Sequence, residues 1–460
     1  MVLKIFCVVC PQNKTSSEDA GWFFRKRYYL LLMLSFGMIM NVLLRANLSI
    51  AIVEMTSSTN ITDGNVTYTQ EPEFKWSSVN KGIILSSFSW GYFFSPLGGL
   101  LSSKYGGVNV FGVGILITSF LTFLTPILIR LNMILFIIGR MLEGVAESSA
   151  ISGALQIFVN WIPLNERSRS AGIYGSGFYL GAAIAYPICG FTAYLCGWEI
   201  MFIITGFIAL VWCIIWFIFF DTDPSTDKFI SKKEKIFLSK NVVGALITKV
   251  EYPWNSIFMS TAVWAFFNER LIASWLTSFV IYCIPLYIKD LHNVTIDSIG
   301  LISALPNFCS FIGGIVGSFI LDYIRNEKLM SNSKVCIHFT FEEGISVQNY
   351  KLKPIKKKFQ VINIKSILPL DLSPHHASFL TGMSSAFSCI GYIINPIIMG
   401  FIVQNHTVIE WRKYFALLCG CNIWGIFIFS VFGSGEQQTW AIKKELKSSD
   451  VKENPEETIP

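Results

Sequence analysis

The chain has 460 residues, of which 52% are hydrophobic, 15% aromatic and only 14% charged, with a mean hydropathy of +0.52. Soluble domains carry about 25% charged residues, so ordinary soluble folds are excluded, together with disorder, coiled coil, collagen and nucleic-acid binding. The 36 basic and 30 acidic residues leave a formal charge of +6, which fits Lys and Arg accumulating in cytoplasmic loops rather than an anion-binding surface.

In chain order, residues 1–29 read as a cytoplasmic segment, too short at its apolar start for a secretory signal. Its Cys7 and Cys10 are either an incidental pair or a palmitoylation site. Apolar stretches follow near 30–53, 82–102, 108–129, 133–158, 171–195, 200–220, 257–287, 296–321, 376–403 and 411–432. Each is long enough to cross a roughly 30 Å hydrocarbon core as a helix. Because lipid offers backbone groups no partners, these ten spans predict an all-α polytopic membrane protein. Among the 11 cysteines, Cys189, Cys196, Cys213, Cys283, Cys309, Cys389 and Cys419 lie in or at the ends of spans, where cysteine serves as a small hydrophobe.

Two independent signals orient the chain. Arg25, Lys26, Arg27, Arg167, Arg169 and the lysines between 228 and 249 fall on one side, which is cytoplasmic by the positive-inside rule. The acceptor sequons at Asn60, Asn65, Asn293 and Asn405 all fall on the other, lumenal or extracellular, side. Both termini are therefore expected in the cytoplasm, and the Lys- and Glu-rich tail at 435–460 is expected to be disordered.

The turn from Gly98 to Gly107 has a likeness in Gly313 to Gly317 with Asp322 and Arg325. The stretch from Glu166 leads into a helix with Pro187 and Gly190, as Ser373 onward leads into one with Pro396 and Gly400. Matching helices interrupted by Gly and Pro in two halves point to a transporter with its pathway at the repeat interface. Packing of small residues explains single glycines equally well.

At specific motifs the chain resembles the anion/cation symporters of the major facilitator superfamily: type I sodium/phosphate cotransporters, sialin and vesicular glutamate transporters. These motifs are Leu44 to Val53, Ser89-Trp90-Gly91-Tyr92, Lys104 to Gly107, Gly139 to Gly144, Pro163 to Arg167, Gly197-Trp198, Glu410-Trp411-Arg412 and Gly433 to Glu436. The resemblance implies two helical bundles. The first covers 30–220 with six helices and the second 257–434, joined by a cytoplasmic loop at 221–256. It also implies twelve helices, yet Glu342, Glu343 and the basic run from Lys351 to Lys358 stand where the ninth and tenth belong. A basic loop at 323–373 is expected instead, and the loss of two spans keeps the remaining helices correctly oriented.

Ionisable groups at membrane depth cost roughly 2.5–3.5 kcal/mol each on insertion scales. Arg45 in the first span and Arg140, Glu143 and Glu147 in the fourth are the candidates. Spacings of three and seven place the last three on one helical stripe, seven residues turning about 700°. An arginine there is a fork for carboxylate or phosphate, and a desolvated carboxylic acid can exchange a proton during transport. A packing ion pair of Arg140 with Glu143 or Glu147 is the competing reading. The resemblance ties Arg45, Glu143 and Glu147 to substrate binding and proton coupling. Arg45, Arg140 and Tyr92 are thus the substrate-binding candidates, with Glu143 and Glu147 for the proton. Trp275 and Tyr287 are further lining candidates, and Glu269 and Arg270 are adjacent and point different ways. His375 and His376 lie at a helix start, and His292, His338 and His406 are too scattered for a metal set.

The expectation is a symporter of a small organic anion or inorganic phosphate, coupled to H+ or Na+, with no cofactor, no enzymatic motif and a monomeric state. It would sit in a plasma, lysosomal or vesicular membrane. The alternative is a transport-deficient relative, truncated or mis-spliced, that acts as a sensor or scaffold.

Overall fold

The computed structural model describes residues 25–57, 59–63, 66–224, 227, 229–241, 254–292, 294–326, 377–434 and 438, with backbone alone for the two short strands. Its elements are α1 (Lys26–Thr56), an antiparallel hairpin β1 (Thr59–Asp63) and β2 (Val66–Gln70), α2 (Ser78–Trp90), a 3-10 turn at Gly91–Phe94 and α3 (Ser95–Tyr105). Then come α4 (Gly107–Leu131), α5 (Met133–Trp161), α6 (Leu164–Cys196), α7 (Trp198–Phe219), α8 (Lys232–Asn241) and α9 (Trp254–Phe258). The second half holds α10 (Thr261–Ser278), a π-helical turn at Phe279–Cys283, α11 (Ile284–His292), α12 (Ile296–Asn326), α13 (Ala377–Ile402) and α14 (Val408–Phe432).

Taking α2 with α3 and α10 with α11 as single broken passes, these helices form the ten expected spans. Eight are long and apolar enough to cross a membrane, the pass from Thr261 to Leu291 through its π-helical turn included. The other two fall short for physical reasons that matter later. One is the pass from Ser78 to Tyr105, which is broken by the 3-10 turn, and the other is α5, which carries Arg140, Glu143 and Glu147. The hairpin between α1 and α2 is a feature that the apolar pattern does not announce.

Sharp reversals use residues with special backbones. Gly106 and Gly197 adopt φ of 84° and 85° between consecutive helices, a left-handed region open mainly to glycine. Asn132 caps α5 by accepting from Ile134 N at 2.8 Å, and Thr407 and Glu410 form a reciprocal capping box on α14. The N-terminus of α1 is capped from a distance, for the Glu234 carboxylate of α8 accepts from Lys26 N at 2.7 Å and Arg27 N at 3.2 Å.

Two apolar clusters organise the core. One joins α1, α4, α5 and α7 around Phe111, Trp212 and Trp216. The other runs from α1 and α6 into the second half through Tyr282, Ile299 and Tyr414. The halves meet where α6 packs along α12 and α2 along α13. At the end of the bundle that bears the hairpin, backbones touch. A side chain on Gly190 would sit 3.0 Å from Gly300 Cα, and one on Gly400 3.1 Å from Val79 Cα. A side chain on Gly82 would likewise strike the Pro396 carbonyl and sit 3.2 Å from Ile397 Cα. Pro187 and Pro396 both lie inside helices, in α6 and α13.

The sequons at Asn65 and Asn293, the Cys7 and Cys10 pair, His338, His375 and His376 lie outside the described residues. So does most of the expected basic loop and tail. Among the described residues every cysteine is a free thiol.

Candidate functional site

Arg45 sits midway along α1, 4% exposed, at the junction of the halves. Its guanidinium carbon lies 5.3 Å from the Phe88 ring and 5.6 Å from the Tyr92 ring of the first half. It lies 5.3 Å from Tyr282 and 4.6 Å from Tyr392 of the second. Nε donates to the Tyr282 hydroxyl at 2.6 Å. Cation–π contact with a desolvated ring is worth about 2 kcal/mol or more, and since a ring carries no net charge the cage holds the guanidinium without neutralising it. Arg45 makes no ion pair among the described residues. Neither of its Nη atoms is among the sealed, unpartnered polar atoms that occur elsewhere in the core.

Glu147 is the counterpart on α5, 2% exposed. The Tyr92 hydroxyl donates to its Oε1 at 2.5 Å, and Oε2 is sealed with no partner. Tyr92 therefore links the two, its ring in the Arg45 cage and its hydroxyl on the carboxylate. It stands on the 3-10 turn because α2 cannot continue straight there. A side chain at Gly91 would collide with the backbone of Met141, Gly144 and Val145, and one at Gly144 would strike the Phe88 carbonyl. Gly144→Ala is accordingly expected to push α2 off α5, with protein yield in membranes falling severalfold while a surface change such as Leu142→Ala leaves it unchanged. Quantitative immunoblotting checks this.

Arg140 and Glu143 pair with each other. Arg140 Nη1 lies 2.7 Å from Glu143 Oε2, with both side chains essentially sealed. The alignment is poor for a hydrogen bond, and both atoms lack a directional partner. Glu143 turns toward α4, where Thr125 Oγ1 donates to it at 3.5 Å. Arg140 Nη2 reaches the Arg45 backbone carbonyl at 3.5 Å. The stripe of three charges thus divides, because the helical pitch brings Glu147 to Tyr92 and leaves Arg140 and Glu143 as a neutral pair behind Arg45.

Of the remaining candidates, Tyr287 packs edge-to-face against Trp411 and Phe415. Trp275 keeps a buried, unpartnered Nε1. Glu269 is buried, while Arg270 is half-buried with an unpartnered Nε. Asn60 is on β1, and Asn405 is exposed in the turn after α13, its Nδ2 donating to Glu410 Oε1 at 2.9 Å. Sequence reasoning missed Tyr282, Tyr392 and Phe88. Tyr282 lies in the π turn, which shifts the register of the helix, and such turns concentrate at functional sites. No cluster able to hold a metal occurs among the described residues.

A family model described as Major Facilitator Superfamily matches residues 34–334. Vesicular glutamate transporter 2 of Homo sapiens is 27% identical over 460 residues, spanning 95% of this chain and 79% of that protein. Vesicular glutamate transporter 3 of Danio rerio is 27% identical over 458 residues, with 94% and 78% covered. Among solved structures, the xylose transporter XylE from E. coli in an inward open conformation superposes with a TM-score of 0.65 at 10% identity, covering 92% of this chain and 99% of that one. A bacterial homolog of the human lysosomal transporter Spinster, inward-facing and unoccupied, gives 0.60 at 13% identity, with 88% and 94% covered.

Proposed function

The chain belongs to the Major Facilitator Superfamily, and from that footing we propose that it is a secondary active transporter carrying a small organic anion or inorganic phosphate in symport with H+ or Na+. The observation that carries this reading is Arg45, a buried guanidinium caged by four rings, with no carboxylate on it and with Nη atoms left for a ligand. A forked pair of N–H donors matches the two oxygens of a carboxylate or phosphate. Arriving anion would replace the Tyr282 contact, which makes Tyr92 and Tyr282 the adjustable wall of the site. The names of the vesicular glutamate transporters support a small carboxylate among the substrates to be tried.

Glu147 takes the proton role, since one of its oxygens already has Tyr92 and the other has nothing. Glu143 and Arg140 stand behind them as a neutral pair that holds the charge balance when Glu147 changes state. This favours H+ over Na+, because a sodium ion prefers several converging oxygens, whereas a proton needs one lone pair. The hairpin end is read as lumenal or extracellular and the other end, with both termini, as cytoplasmic. With backbones in contact at the hairpin end, the site would be reached from the cytoplasmic side. A lysosomal, vesicular or plasma membrane fits this reading, and Asn60 and Asn405 on the hairpin side are proposed acceptors for N-glycans.

Proteoliposomes holding the purified chain test it with radiolabelled glutamate, sialate and phosphate under an imposed pH or sodium gradient. At least one anion is expected to accumulate severalfold above its outside level under the pH gradient and to leak out when a protonophore is added. Failure of all three under either gradient, with folded protein in the bilayer, sinks the proposal.

A further inference from the structure

Two neighbouring residues of the π turn at Phe279–Cys283 are each held by the first half. Tyr282 accepts from Arg45 Nε at 2.6 Å on its hydroxyl. One residue earlier, the Ile281 carbonyl accepts from the hydroxyl of Tyr186, on α6, at 2.5 Å. The sequence explains why that carbonyl takes a donor from elsewhere. In a continuing α-helix it would receive the amide of residue 285, and residue 285 is a proline, which has none. Tyr186 is 0% and Ile281 1% exposed, so the hydroxyl, not water, stands in for the missing amide.

The far side of the turn is fixed within its own half. Asn395 of α13 donates from Nδ2 to Ser278 Oγ at 3.2 Å and to Cys283 Sγ at 3.6 Å, the residues that bracket the turn. Its Oδ1 accepts from the Tyr414 hydroxyl of α14. Asn395 thus seats the turn in the second half, and Tyr186 ties it across to α6. The Ile281 carbonyl belongs to the planar peptide that leads into Tyr282, so pinning it sets where the Tyr282 side chain starts.

That placement bears on the guanidinium. A carboxylate or phosphate bound side-on takes Nε together with one Nη, and Nε is the atom that the Tyr282 hydroxyl holds. We propose that Tyr186 is a positioning residue for the anion site: it keeps Tyr282 docked on Arg45, so that an anion enters by displacing a tyrosine. The proposal rests on the reading of Arg45 as the anion's partner and adds to it a built-in competitor. The competitor also filters. An anion with a single point of contact gains little over the hydroxyl, whereas one with two charged oxygens side by side gains a second bond.

Two readouts on the full chain in lipid nanodiscs test this. In the first, fluorotyrosine replaces Tyr282 and its fluorine resonance is recorded with no anion present. The Arg45→Ala form marks the position of an undocked ring. Tyr186→Phe is expected to move the resonance most of the way to that mark, and to move it no further in the Arg45→Ala form. Tyr174→Phe, which deletes a buried hydroxyl with no partner among the described residues, should leave it in place. The second readout is half-saturation by radiolabelled glutamate, sialate and phosphate. Tyr186→Phe should lower the half-saturating concentration by roughly twofold to tenfold, the worth of a neutral hydrogen bond. Tyr282→Phe should lower it at least as much, and the double variant no more than Tyr282→Phe alone. Damage to the fold would raise it instead. A resonance unmoved by Tyr186→Phe, or weaker binding in either variant, overturns the proposal. Binding of none of the three anions by the unaltered chain overturns the reading of Arg45 and the competition with it, while the resonance separately decides whether Tyr186 holds Tyr282.

Discussion

Arg45→Ala is expected to yield folded protein at normal amounts and no measurable anion uptake. A buried anion deprived of its cationic partner loses about 3 kcal/mol or more, which is roughly a hundredfold in affinity. Folding survives because Glu147, which feels the Arg45 charge without pairing with it, can hold a proton once that charge is gone, and the only hydrogen-bond partner stranded is the Tyr282 hydroxyl. Arg140→Ala should do the opposite. It leaves the sealed Glu143 carboxylate without its cation, a cost of about 3–5 kcal/mol, so the protein itself disappears from the membrane. Arg45→Lys keeps charge but not the planar fork, and uptake should fall by an intermediate factor. Uptake per milligram of reconstituted protein distinguishes the three, and normal transport by Arg45→Ala ends the case for an anion at this residue.

Glu147→Gln is the second large effect. The amide keeps an oxygen for the Tyr92 hydroxyl and so preserves the wall of the site, but it can neither take up nor release a proton. Accumulation driven by a pH gradient should be abolished, while exchange of labelled for unlabelled anion across the same vesicles continues. Undiminished pH-driven accumulation would remove Glu147 from the coupling scheme. Tyr92→Phe should lie between, retaining the ring against Arg45 but leaving both Glu147 oxygens unbonded.

The span count was legible because crossing lipid demands about twenty apolar residues, a demand written locally in the chain. Arg45 and Glu147 were legible for the related reason that a charge at that depth is costly wherever it points. The pairing of Arg140 with Glu143 was legible only as the competing reading, since a common helical face admits both a shared cavity and a private ion pair. Tyr282 and Tyr392 were hidden because ordinary 3.6-residue periodicity fails across the π turn at Phe279–Cys283 and because aromatic side chains are frequent in every span. The bond from Tyr186 to Ile281 joins residues 95 positions apart, and no local pattern announces a contact of that kind. The hairpin was missed because its short polar strands look like any loop.

The distant cap on α1 has a mechanical consequence. That helix is held at one end by the Glu234 carboxylate and at the other by the Phe74 amide, which donates to Met55 O at 3.0 Å. A rod pinned at both tips cannot tilt by itself. On the transport reading, the guanidinium at its middle would move with the six-helix block rather than apart from it.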